Sequence, residues 1–406
     1  MDRWIRYENM EKKIQFKDIY LVILSLYVIV MVLDESNYTS IQLVDLILTA
    51  AKLFAVGAML IYSLIAFKKL KGDKRIIYLL MLLLVVNLVC MLKNGIETNI
   101  VLFILLLLLS GKSDMSDIFR CFLISYISSV CFVIISSKMG IVADEINIRY
   151  SGDILSRIFL HTNKYERHSL GFAFSNQVPF SLMTIYFLMI AWKQEKMRWG
   201  LQSIIQILNI IVFVWCGSRF VFGIVLLTGI FYVFVKICSP RIHYKKNKYL
   251  EIQPISGIYI LLTLLSFLTV AFYEKIPYWM DAFMNFRFTF AHKVLNYYGI
   301  HMFGSGFLAG TINSEIGEYA VLDNGYLMLF VQRGIIFGSI IILLWTFAIG
   351  IVAKRRNIYV MLPFIMLAAE NFIDFQLLSY KFIPLLMILF HKRDPLLGKE
   401  KYQFKR

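Results

Sequence analysis

Charged residues make up only 17% of this 406-residue chain, against 59% hydrophobic residues and a mean hydropathy of +0.70. A soluble domain cannot hide that much apolar surface from water, so a bilayer is the expected solvent. The chain also lacks a Walker loop, HExxH, GxSxG and the DxD that would hold a divalent metal beside a nucleotide-sugar diphosphate. A nucleotide-using enzyme is therefore not expected, and neither a metal nor another cofactor is implied. The five cysteines, Cys90, Cys121, Cys131, Cys216 and Cys238, lie in or at the ends of apolar runs and form no CxxC pair, so no disulfide or zinc framework is indicated. No small-residue cleavage site follows the first apolar run, which reads as a retained span. Alternating apolar runs are missing, which excludes a closed β-barrel. Internal repeats and low-complexity tracts are missing too, and one domain over 1–406 is the simplest organisation.

What is present is a series of continuous apolar stretches, each roughly long enough to cross a hydrocarbon core of about 30 Å as helix. They lie at 19–33, 41–67, 76–92, 98–111, 118–137, 176–192, 201–216, 220–238, 255–272, 325–352, 358–373 and 375–390. This predicts an all-α, polytopic membrane protein of about twelve spans with both termini in the cytoplasm. Under that assignment 27 of the 42 Lys and Arg residues face inward, 10 face outward and 5 lie within spans. The inward clusters are Arg3 to Lys17, Lys68 to Arg75, Lys193 to Arg198, Arg241 to Lys248, Lys354 to Arg356, and Lys392 to Arg406. The net charge of +16 is thus a topology signal of the positive-inside kind, and no nucleic-acid partner is expected. Two long segments, 138–174 and 273–324, fall outside, while every inner connection is short. Chemistry is expected on the outer face. The second loop mixes Trp279, Phe283, Phe286, Phe288 and Phe290 with Arg287 and His292 in a helix-compatible run, which is expected to lie on the membrane surface.

The few outward charges are informative. Arg167, in ERHSLGFAFSN, either snorkels to headgroups or serves a ligand; Gly171 beside it suits a tight turn and Asn176 a helix cap. Arg219, in the short CGSRF turn, needs an anionic partner, and a lipid or ligand phosphate would serve. Arg287, in MNFRFTFAHKVLNYY, either shares a face with His292 or pairs with Asp281 or an aromatic ring. His301, before FGSGF, is a base or an internal hydrogen-bonding group. Asp323 and Asn324 stand at the mouth of the long apolar run at 325, where a carboxylate either caps the helix or contacts a sugar hydroxyl. Inside the spans, Asp45 and Lys52 lie on one helical face and read as a pair. Glu370, Asn371 and Asp374 cluster near one end of a span, where Arg333 is a candidate to neutralise one of them.

Taken in order, these residues resemble the O-antigen polymerase and ligase superfamily, specifically the Wzy-type polysaccharide polymerases. The family pattern has a basic residue and GF before a mid-chain span, matched by Arg167, Gly171 and Phe172. It continues with SR at the start of a later span (Ser218, Arg219), then a large loop with an arginine and GxG (Arg287, Gly304, Gly306). It closes with (H/D)NxYL and GixG, matched by Asp323, Asn324, Tyr326 and Leu327 with Gly334 and Gly338. The likeness covers roughly 165–340, and each motif alone is weak. Ligases of the superfamily usually carry histidine where Asp323 stands, which favours a polymerase.

The resemblance implies a metal-independent glycosyltransferase of GT-C-like membrane fold in the bacterial cytoplasmic membrane. Such an enzyme moves a growing glycan from its polyprenyl pyrophosphate carrier onto an incoming lipid-linked repeat. Arg219 and Arg287, with Arg167, would hold the pyrophosphate, with His292 and Asn324 alongside. Asp323 is the first candidate for the base and His301 the second. The implied partners are polyprenyl-pyrophosphate-linked oligosaccharides, the bilayer, and a flippase and chain-length regulator of the same pathway. A lipid-linked oligosaccharide flippase, a ligase to another acceptor and a membrane scaffold are the rival readings. Transporters usually keep their charges near the midplane and show paired halves, and this chain shows neither pattern.

Overall fold

The structure is a computed structural model, and it describes residues 2–66, 74–94, 98–150, 164–244, 253–307, 312–313, 318–319, 322–392 and 394–397. Parts of the basic clusters (68–73, 245–248, 393 and 398–406) and of the two long loops (151–163, 308–311, 314–317 and 320–321) lie outside the described residues. In chain order the helices and hairpin are α1 (Asp2–Asp34), α2 (Gln42–Ala66), α3 (Lys74–Asn94), α4 (Thr98–Leu109), α5 (Met115–Lys138), β1 (Ile146–Tyr150), β2 (Lys164–His168), α6 (Gln177–Lys193), α7 (Trp199–Cys216) and α8 (Arg219–Tyr244). They continue with α9 (Ile258–Ala271), α10 (Tyr278–Phe283), α11 (Arg287–Tyr298), α12 (Gly325–Arg355), α13 (Ile358–Asn371) and α14 (Ile383–Leu386).

The chain is predominantly helical, as the apolar runs predict. Six helices among the described residues are long and apolar enough to cross a membrane: Gln42–Ile61, Lys74–Leu92, Met115–Lys138, Trp199–Cys216, Arg219–Cys238 and Gly325–Arg355. Four further apolar helices, Asn99–Leu109, Ile255–Ala271, Ile358–Asn371 and Tyr380–Phe390, are shorter. The stretch expected as a final span at 375–390 is not one continuous α-helix. Two short 3-10 turns, Tyr380–Phe382 and Met387–Phe390, flank the single turn α14, where Pro384 brings a ring and no N–H.

Contacts divide the chain into two compact units, residues 1–58 with 116–241 and residues 59–115 with 242–406. In the first unit, hydroxyl and amide side chains tie the helices: Tyr126 Oη donates to Ser181 Oγ at 2.9 Å, Tyr186 Oη to Gln202 Oε1 at 2.7 Å, and Asn209 Nδ2 to the Phe222 carbonyl at 3.1 Å. Lys52 pairs with Asp34 at the end of α1, not with Asp45, because a partner across two helices is nearer than one two turns along the same helix. The first long loop carries the antiparallel hairpin β1–β2, with Asn147 opposite Arg167. Gly171 behind it adopts φ +89°, and a Cβ there would stand 2.9 Å from Ser137 Cβ. That close approach lets the Asn37 amide donate to the Gly171 carbonyl at 2.8 Å. Asn176 stands at the N-cap of α6, but its side chain makes no capping bond.

In the second unit α12 is the organising element. Tyr326 Oη donates to the Ala368 carbonyl at 2.8 Å, Trp345 Nε1 to the Leu377 carbonyl at 3.1 Å, and Trp345 stacks on Tyr259 at 5.5 Å. Helix α12 breaks at Gly334, whose φ is +88° and ψ 172°. The broken turn leaves the Val331 carbonyl and the Ile335 and Ile336 amides without partners inside the helix. The segment after α11 supplies them: Ser305 N and Oγ donate to the Val331 carbonyl at 3.0 and 2.9 Å, while Ile335 N and Ile336 N donate to the His301 and Met302 carbonyls at 3.0 and 3.3 Å.

Candidate functional site

The expected site residues fall into three places. In the first unit, Arg167 on β2 donates through Nε to the Cys216 carbonyl at 2.8 Å, at the C-terminal end of α7. The next three residues, Gly217, Ser218 and Arg219, form the turn into α8, so Arg167 and Arg219 belong to one corner. Gly217 makes that turn with φ +63°. The hairpin that carries Arg167 is anchored by Asp144, which accepts from His168 Nδ1 at 2.8 Å and from the Leu170 amide at 2.7 Å. Burial pushes the Asp144 carboxyl up, but the His168 and Leu170 bonds outweigh it and the net shift is downward.

The second place is the meeting of α11, the start of α12 and the end of α13. Arg287 Nε lies 3.0 Å from Asp323 Oδ2, with both side chains partly exposed, and Arg287 also donates to the Ile373 carbonyl. Asp281, the other candidate partner, is engaged by the start of the helix. That carboxylate caps α11 instead, accepting from the Phe288 amide at 3.1 Å and from the Thr289 hydroxyl. Capping of α12 falls to Asn324 and not to Asp323: Asn324 Oδ1 accepts from the Tyr326 and Leu327 amides at 3.1 and 3.0 Å. Asn324 Nδ2 donates to Ser266 Oγ at 3.0 Å and to the Phe372 carbonyl at 2.9 Å, so its amide is filled by the fold and no group is left for a ligand. A Cβ at Gly325 would meet the Asp374 carbonyl at 2.7 Å, and that close approach is what brings the end of α13 against the start of α12.

Behind the Arg287–Asp323 pair stand two further carboxyls. Asp374 is held by the Phe375 amide at 2.7 Å; burial, then the charge of Asp323, push its acid up to about 6 against the pull of Arg287. Glu370 is fully buried, and neither carboxyl oxygen has a hydrogen-bond partner among the described residues. Arg333, the candidate to neutralise one of this group, is buried at the α12 break, where its backbone carbonyl accepts from Cys90 Sγ at 3.3 Å. The Arg287 guanidinium is thus paired with Asp323, with further carboxyls behind it, a grouping able to exchange a proton.

The third place is the far end of α11. His301 Nε2 donates to the Tyr298 carbonyl at 2.9 Å, and the ring faces solvent beside Gly304, Ser305 and Gly306. Helix α11, twelve residues from Arg287 to Tyr298 and about 18 Å long, lies between Arg287 and this end. His301 and Arg287 are therefore not brought to one reacting centre. His292 also turns away from Arg287: its ring stacks on Tyr273 at 4.5 Å and its Nε2 meets Asn296 Nδ2 at 2.9 Å.

Comparison with protein-family models, with curated proteins and with solved structures returns no match. Sequence reasoning singled out Arg287, Asp323 and the Glu370–Asp374 group but did not join them, since their spacing along the chain carries no sign of the contact. The roles of Asp144 and Gly325 escaped it; the one available signal was glycine directly after Asp323 and Asn324, at a helix start where a side chain is normally tolerated.

Proposed function

We propose that the protein is a membrane glycosyltransferase that polymerises polyprenyl-pyrophosphate-linked oligosaccharide repeats on the outer face of the bacterial cytoplasmic membrane. The observation that carries this reading is the Arg287–Asp323 pair, a forked cation and a carboxylate in contact at the mouth of a long apolar helix. In this reading the donor pyrophosphate takes the place of Asp323 on the Arg287 guanidinium, which binds phosphate through parallel N–H donors and stays charged. The displacement frees Asp323 beside the reacting atoms. The acceptor hydroxyl oxygen then bonds to the anomeric carbon, the bond from that carbon to the phosphate oxygen breaks, and the electron pair leaves with polyprenyl pyrophosphate. Asp323 takes the hydroxyl proton. The leaving group carries the driving force, so neither nucleotide nor metal enters the step.

Arg167 and Arg219 are the phosphate-binding candidates of the first unit. The membrane character of six long apolar helices supports lipid-linked substrates. A flippase that delivers them and a regulator of chain length are the partners this reading implies.

The test is to incubate purified protein with its lipid-linked repeat, without nucleotide sugar or metal, and to resolve the products by size. A ladder of lengthening glycans is expected, with Arg287→Ala and Asp323→Asn each at least a hundredfold slower, the scale of losing one preorganised charge at a reacting centre. Absence of a ladder from folded protein, with carrier movement across vesicles, would transfer the case to a flippase.

A further inference from the structure

The segment His301–Gly306 is displaced from the Arg287–Asp323 pair yet has the features of a built site. Together His301, Gly304, Ser305 and Gly306 line an open cavity of about 320 Å³, within the range of about 300–1,000 Å³ usual for ligand pockets. Among the described residues no carboxylate, lysine or arginine lines it, which does not suit phosphate. The lining does suit a neutral, hydroxyl-rich ligand. A carbonyl can only accept, so the bond to Tyr298 places the hydrogen on His301 Nε2 and leaves Nδ1 as the lone-pair nitrogen of the neutral ring. Gly304 and Gly306, at φ +86° and +75°, present backbone without side chains. Next to this lining in the chain, Phe307 is buried against Tyr298 with ring centroids 5.0 Å apart, and Tyr297 is 47% exposed. An imidazole, a hydroxyl and bare glycine backbone, all uncharged or able to be so, match the hydroxyl-rich surface of a sugar.

The shape of this segment is not its own. It is clamped into the break of α12 by the four bonds to Val331, Ile335 and Ile336. The clamp exists only because residue 334 lacks a side chain: a Cβ there would stand 2.4 Å from Gly304 N and 2.5 Å from the Met302 carbonyl oxygen.

We propose that the cavity at His301, Gly304, Ser305 and Gly306 is a glycan subsite several sugar rings away from the bond being formed, with Gly334 the positioning residue that holds it. The inference rests on the glycosyl-transfer reading, since it takes the ligand to be the distal part of the same lipid-linked oligosaccharide. The roughly 18 Å along α11 then becomes the span the glycan must bridge.

The experiment compares kcat/KM for a complete lipid-linked repeat with that for a carrier bearing a single sugar, in wild type, His301→Ala and Gly334→Ala. Wild type is expected to prefer the complete repeat, and both variants to lower that long-to-short ratio about tenfold, as the loss of one or two neutral hydrogen bonds would. An unaltered ratio, whatever the absolute rates, overturns the subsite. Should Gly334→Ala not fold, His301→Ala decides alone. If wild type elongates neither substrate, the polymerase reading fails, and saturation-transfer NMR with the free repeat oligosaccharide then decides the subsite. Transfer to the glycan that vanishes in His301→Ala supports it, and no transfer in wild type overturns it.

Discussion

Arg287 illustrates how much of a site a residue type discloses and how little of its partnership. An arginine among aromatics on a long loop is singled out by the sequence as a candidate phosphate ligand. Its pairing with Asp323 and the Ile373 carbonyl is not, because nothing in a single sequence links positions 36 and 86 residues on. Asp323 and Asn324 show the same limit: either is a good N-cap by composition, and the fold gives the cap to Asn324, whose amide can accept and donate at once. Asp374 offers a test at this scale. Its acid is held near 6, above the usual carboxylate value, so folding favours the protonated form. Below about pH 4 both folded and unfolded chains carry the proton and the stability is intact. Between about 4 and 6 the unfolded chain ionises first, and stability falls as pH rises. The thermal midpoint of detergent-purified protein should therefore decline from pH 4 to 7, and Asp374→Asn should flatten that decline. A wild-type profile that rises over this interval would refute the assignment.

At the scale of elements, the long apolar helices follow directly from the apolar runs, and their bounds agree within a few residues. Helix α1 instead starts at Asp2, well before the run at 19–33, and two further elements depart more. The hairpin Ile146–Tyr150 with Lys164–His168 sits in polar sequence whose only hint is the alternation of INIRY, too short to stand against loop chemistry. The stretch at 375–390 has the composition of a span but is broken into one α-helical turn between two 3-10 turns, and Lys381 within it is buried with its ammonium 5.8 Å from the Tyr380 ring. Gly171 tests how an element is fixed in place. Replacing it by Ala forces a side chain into φ +89° and against Ser137, costing about 1–3 kcal/mol. The midpoint should drop by several degrees, while Gly140→Ala, where a Cβ meets nothing within 4 Å, should pay only for its φ of +74°. Equal losses in the two variants would show that the packing against Ser137 is unimportant.

For the whole molecule, the apolar composition and the asymmetric lysines and arginines are the strongest messages of the sequence, and six long apolar helices bear out a membrane-embedded protein. The orientation rests on charge and is open to a direct measurement. In a cysteine-free background, an impermeant maleimide applied to intact cells should label Glu274→Cys, on the second long loop, and should reach Glu195→Cys only after permeabilisation. Both positions are exposed, so reactivity reports sidedness. The opposite pattern would invert the topology and move the candidate site to the cytoplasmic face.

The bonds around Arg287 also impose an order on biogenesis. Its carboxylate partner is made 36 residues later and its carbonyl partner 86 residues later. At about 5–20 residues per second, the second interval lasts several seconds of synthesis. Throughout that time the guanidinium must stay hydrated or be sheltered by the insertion machinery, because burying it alone would cost several kcal/mol. The second unit can close around its charge only after α13 has been delivered, so a chain truncated before Ile373 would be left with an unfinished site and would become a target for quality control.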